Sequence, residues 1–99
     1  MFWMYMLRCS DGSYYVGHTD NLPARIAAHE RGIFRSCYTF DRRPLALVFA
    51  QDFPTREEAL AMERRVKGWS RAKKAALINR DWARIAVLAK SRADRAPKD

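Results

Sequence analysis

FWMYMLRCSDGSYYVGH, residues 2–18, decides the fold. Its first seven residues are almost continuously apolar, the pattern of a strand covered on both faces, which predicts a central strand. Ser10-Asp11-Gly12-Ser13 is a turn cluster with Asp-Gly inside it, so Tyr14 to His18 return as the second arm of a β-hairpin. Downstream, Asp20 or Asn21 can cap a helix, Pro23 suits its first turn and Gly32 its stop, which predicts a helix over 22–31. Residues 33–43 read as a loop in which aromatics alternate with arginines, and 45–50 as a third strand. Thr55 and Glu58 form a capping box for a second helix ended by Gly68, and Ser70 caps a third that runs to about Ile78. Trp82, Ile85 and Leu88 or Ala89 then recur at helical spacing over roughly 80–90. The order β-β-α-β-α-α-α predicts an α+β fold, a small three-stranded antiparallel sheet flanked by helices. One domain is expected over 1–90, followed by a flexible charged tail over 91–99 that contains Pro97.

Composition narrows the function classes. A chain of 99 residues with 48% hydrophobic and 12% aromatic content is a small folded domain and not a disordered segment. Cys9 and Cys37 make neither a disulfide framework nor a zinc-like cluster, and read as buried free thiols in a reducing compartment. The apolar start is broken by Arg8, far short of the ~20 residues that span a bilayer. With no charged segment before it, it is not a signal peptide either, so a cytoplasmic protein with no membrane partner is expected. Seven of the eight excess positive charges lie after residue 55. That asymmetry suits a polyanion, though a solvated helical surface accounts for it equally well.

Some polar residues stand where a core should be. On the second helix the apolar stripe is Ala59, Met62 and Val66, with Glu63 in its midst. A carboxylate taken out of water costs several kcal/mol unless it is paired or bound to a metal, so Glu63 needs a cation. On the first helix Arg25 and His29 form an i, i+4 stripe beside the apolar Leu22 and Ile26. One reading is a structural Glu63–Arg25 ion pair with tyrosines packed beside it. The other is a phosphodiester site: a carboxylate to hold Mg²⁺, a guanidinium to fork onto phosphate oxygens, an imidazole to move a proton, and a phenol to act as base if nearby cations favour its phenolate. Tyr14 and Tyr15 alternate across the sheet, so only one of them can face Glu63.

The ordered set Trp3-Met4-Tyr5, Tyr15-Val16-Gly17, Arg25 with His29, Tyr38-Thr39, Arg42-Arg43-Pro44 and Glu63 with Lys67 resembles the GIY-YIG nucleases over about residues 2–78. The likeness is greatest to the short stand-alone bacterial proteins of that superfamily. The first motif keeps its tyrosine but lacks the glycine and isoleucine. The resemblance implies a metal-dependent endonuclease that hydrolyses DNA phosphodiester bonds, using Mg²⁺ or Mn²⁺, no small-molecule cofactor, and structure-selective binding, as in DNA repair. It implies Glu63 as metal ligand, Arg25 as phosphate clamp, Tyr15 as base or water-orienting phenol, Tyr5 as its partner across the hairpin, and His29 as proton acceptor or relay. Gly17, His18, Arg35, Tyr38, Arg42, Arg43 and Lys67 are the expected substrate-binding residues, in a monomer or weak dimer. A non-catalytic nucleic-acid-binding module and a small interaction protein with an acidic partner are the rival expectations.

Overall fold

Strand β1 (Phe2–Arg8) is the middle member of a three-stranded antiparallel sheet ordered β2-β1-β3, with β2 at Tyr14–Thr19 and β3 at Ala46–Phe53. The computed structural model describes residues 1–94. Central placement explains the apolar run: Met4, Tyr5, Met6 and Leu7 are all fully buried. The Asp-Gly turn closes the hairpin as its chemistry requires. Gly12 adopts a left-handed φ of 86°, and the Asp11 carboxylate accepts from the Ser13 amide and hydroxyl at 3.0 and 2.6 Å.

Helix α1 (Leu22–Glu30) starts where Asn21 accepts the Ala24 amide at 3.2 Å and ends before Gly32, whose φ is +69°. Residues 33–43 carry one 3-10 turn, Phe40–Arg42, inside the predicted loop. Strand β3 runs three residues past its predicted end, through Gln51, Asp52 and Phe53. The polar Gln51 and Asp52 hide this end from an apolar-pattern search, but as an edge strand β3 pairs through its backbone, and Phe53, Asp52 and Gln51 stand opposite Phe2, Trp3 and Met4. A register shift between Met6 and Leu7 skips Val48. Helix α2 (Arg56–Lys67) begins at the predicted capping box: Thr55 Oγ1 accepts the Glu58 amide at 3.2 Å and donates to its carboxylate at 2.9 Å. It lays Ala59, Glu63 and Val66 against β1 and β2.

Residues 1–67 form one compact unit of the chain, and the described residues from Gly68 another. In the second, α3 (Arg71–Ile78) is capped by Ser70, whose hydroxyl accepts the Lys73 amide at 3.2 Å. Helix α4 (Trp82–Asp94) packs on α3. It starts two residues later than predicted because Arg80 takes a left-handed φ of 55°, after which Asp81 accepts the Arg84 amide at 3.1 Å as the new cap. It also runs four residues into the segment predicted as tail, and 95–99 lie outside the described residues. No helix of the described residues is long and apolar enough to cross a membrane.

Candidate active site

Tyr5 and Gly17 stand opposite each other in the β1–β2 register. A Cβ built on Gly17 would lie 2.6 Å from the Tyr5 hydroxyl oxygen and 2.7 Å from its Cζ, so the glycine lets the phenol lie flat across the hairpin. Tyr15, two residues earlier on β2, shares that face. Its ring centroid is 6.3 Å from that of Tyr5 and 5.2 Å from that of His29, which α1 brings over the sheet. Of the two adjacent tyrosines it is therefore Tyr15, and not Tyr14, that joins the cluster.

The buried polar groups are linked in series. The Tyr5 hydroxyl is 2.9 Å from His29 Nε2, His29 Nδ1 is 2.9 Å from Thr39 Oγ1, and that hydroxyl donates to Cys37 Sγ at 3.5 Å. The charge of Arg25, one turn before His29, acts on the Tyr5 phenol, and its guanidinium carbon lies 5.3 Å from the Phe34 ring centroid. Thr39 and Cys37 carried no predicted chemical role. Thr39 offered the one usable signal, a hydroxyl beside the Tyr38 of a motif; that it is 1% exposed depends on the tertiary fold.

Burial sets the protonation states. It pushes the Tyr5 phenol up to about 12 despite the opposing charge of Arg25. It raises Tyr15 as well, with the neighbouring Tyr5 adding to the effect. The Glu63 charge adds a smaller contribution that raises both phenols. Burial, followed by the Arg25 charge, lowers His29 below its ordinary 6.5, so the imidazole is neutral at pH 7. Since the native state resists a proton that the unfolded chain accepts, this contribution to stability is complete above pH ~6.5 and is lost as pH falls through the lower native value. The urea midpoint of the parent protein should therefore fall between pH 7.5 and 5, more steeply than that of His29→Gln.

Glu63 is paired, but not with Arg25. Its Oε1 accepts from His18 Nδ1, and its Oε2 accepts from Lys67 Nζ at 2.7 Å, one helical turn along α2. Burial pushes this carboxyl up, but the hydrogen bonds and charges of Lys67 and His18 together outweigh it and hold Glu63 below the usual glutamate value. The sequence reading of a Glu63–Arg25 pair is thus corrected. The i, i+4 lysine on the same helix takes the carboxylate. His18 and Lys67, predicted to bind substrate, are both on Glu63. Among the described residues no group of three or more His, Cys, Asp or Glu side chains could hold a metal. The donor set still fits a hard divalent cation with a single protein ligand. An ionised carboxylate with 10% side-chain exposure already faces positive charge, and the Lys67 side chain, 53% exposed, can withdraw into solvent.

In the 33–43 loop the arginines hold the loop itself. Arg42 donates to Asp11 at 3.1 Å and to the Tyr38 carbonyl at 2.8 Å, and its guanidinium carbon sits 3.8 Å from the Tyr38 ring centroid. Arg43 donates to the carbonyls of Phe40 and Glu30 at 2.8 and 3.3 Å. Their predicted substrate contacts would have to share donors already engaged within the chain. Arg35, 5.6 Å from the Phe40 ring, and Tyr38, 43% exposed, also face solvent.

The fold is that of a nuclease family. A family profile described as the GIY-YIG catalytic domain matches residues 1–76, and the chain belongs to that family. It is 42% identical over 72 residues to a UPF0213 protein of Bacillus pumilus, covering 73% of this chain and 72% of the relative. A UPF0213 protein of Staphylococcus aureus is 41% identical over 75 residues, covering 76% and 90% respectively. The solution NMR structure of a UPF0213 protein from Bacillus halodurans is similar with a TM-score of 0.52 at 41% identity, over 80% of this chain and 84% of that one.

Proposed function

We propose that the protein is a divalent-metal-dependent DNA endonuclease with a preference for branched, damaged or single-stranded forms. The observation that carries this reading is the shared site itself: Tyr5, Tyr15, Arg25 and His29 cluster on one face, and the Glu63 charge acts on both phenols. In hydrolysis, water adds to phosphorus and one ester P–O bond breaks, leaving a phosphomonoester and a hydroxyl. Mg²⁺ or Mn²⁺ held by Glu63 would neutralise phosphate charge and acidify water. Arg25 forks onto the non-bridging oxygens. Tyr15, the less buried of the two cluster phenols, orients the attacking water. Tyr5 is fully buried and holds its proton against the neutral His29, which can take it up. DNA is gripped by the outer face of the 33–43 loop at Arg35 and Tyr38, and by the exposed Arg64 and Arg65 on α2.

A non-catalytic binding module on the same scaffold is favoured by one observation, the raised phenols, since neither is a base while it keeps its proton. Incubation of linear, nicked, branched and single-stranded DNA with the protein in Mg²⁺ or Mn²⁺ separates the two. Strand scission that EDTA abolishes is the expected result. DNA binding should weaken steeply with salt, by a log–log slope of about −0.9 per phosphate neutralised. Salt-sensitive binding with no scission of any form would identify the module.

A further inference from the structure

We propose that Thr39 is a positioning residue that holds His29 in the Nδ1–H tautomer, leaving Nε2 as an open acceptor for the Tyr5 proton. A hydrogen-bonded series of neutral groups can run in one of two directions, and the two ends of this one agree. At one end stands the Tyr5 phenol, fully buried, whose proton needs an acceptor within the chain. The phenol keeps its own proton, and among the described residues its hydrogen-bond partner is His29 Nε2 at 2.9 Å. Nε2 must then accept. A neutral imidazole carries one N–H, so Nδ1 holds the proton and donates to Thr39 Oγ1 at 2.9 Å. At the other end the Thr39 hydroxyl, with its lone pair occupied, sends its proton on to Cys37 Sγ at 3.5 Å.

The reverse direction strands a proton. With Nε2–H donating to Tyr5, the phenol proton of a side chain at 0% exposure would have no acceptor. Two consecutive turns fix the hydroxyl in place: the Phe40 amide donates to the Cys37 carbonyl at 3.0 Å, and the Arg42 amide to the Thr39 carbonyl at 3.1 Å. Thr39 thereby acts on His29 as a carboxylate or carbonyl does on other functional histidines, selecting which nitrogen faces the chemistry. The tautomer stands on geometry alone, and its catalytic use rests on the nuclease reading above.

Nitrogen-15 NMR of the ring nitrogens, in the parent protein at pH 7.5 without metal or DNA, reads the tautomer directly. Nδ1 should carry the proton of His29 and Nε2 should show the shift of a bare, hydrogen-bonded nitrogen. Thr39→Val, nearly isosteric, removes the acceptor and should move the population toward Nε2–H, whereas Thr39→Ser should keep the parent pattern. Cleavage should fall about 10- to 100-fold in Thr39→Val and recover in Thr39→Ser. A parent protein whose His29 carries its proton on Nε2, or a folded Thr39→Val protein with an unchanged tautomer, would overturn the proposal even if Thr39→Val proved unstable in other respects. The expected tautomer in a protein that cuts no DNA would support the assignment and sink the nuclease reading instead.

Discussion

Glu63→Gln is expected to reduce DNA cleavage by about 100- to 1,000-fold while DNA affinity changes less than threefold and the fold survives. The loss has the size of removing one group that stabilises transition-state charge. It is expected here because Glu63 is the buried carboxylate, held below the usual glutamate value, that is proposed above to hold the metal. Survival of the fold follows from which cations it meets. A fully buried partner would be stranded by the change at roughly 3–5 kcal/mol. Lys67 has a 53% exposed side chain and His18 a 24% exposed one, so both can turn to water. The cost should be about 1 kcal/mol or less, the range of solvent-accessible pairs. Cleavage assays, filter binding and thermal melts on one preparation provide the three readouts. Full cleavage by the variant would remove Glu63 from the chemistry, and a collapse of melting temperature together with binding would make it a structural residue.

Gly17→Ala should be the most destabilising single methyl group that can be added to the hairpin. The new Cβ would fall 2.6 and 2.7 Å from Tyr5 Oη and Cζ, closer than carbon atoms pack. Tyr5 cannot yield, since it is fully buried and tied to His29. Overpacking of this kind costs about 1–3 kcal/mol. For a domain of this size that corresponds to a fall in melting temperature on the order of 5–20 °C. A second change isolates the cause. Adding Tyr5→Phe removes the oxygen but leaves Cζ at 2.7 Å, so it should restore only part of the loss. The same variant should lose the Tyr5–His29 hydrogen bond and with it cleavage, even at temperatures where it stays folded. A parent-like melt for Gly17→Ala would mean that the hairpin face is looser than the Tyr5 packing implies.

Which features could be read from residue order follows from the range of the forces behind them. The Asp-Gly turn, the Thr55–Glu58 box, the Ser70 cap and the apolar β1 run are local, each fixed by neighbours within a few positions, and each stands where the residues place it. The ends of β3 and α4 were less legible. Cross-strand pairing with β1 extends β3 through polar residues, and the left-handed Arg80 delays α4.

The same division holds for the candidate site. Residue types and spacing alone determined that Glu63 must find a cation and that Arg25 and His29 share one edge of α1. They also determined that Gly17 stands in a strand where a side chain would be expected. Only the tertiary structure decided that the cation is Lys67 with His18, that Tyr15 and not Tyr14 joins Tyr5, and that Thr39 closes the series behind His29. The physical reason is sequence separation. Thr39 and His29 are ten positions apart, His18 and Glu63 forty-five, and no local periodicity selects among partners that distant. Packing of the sheet against α1 and α2 does.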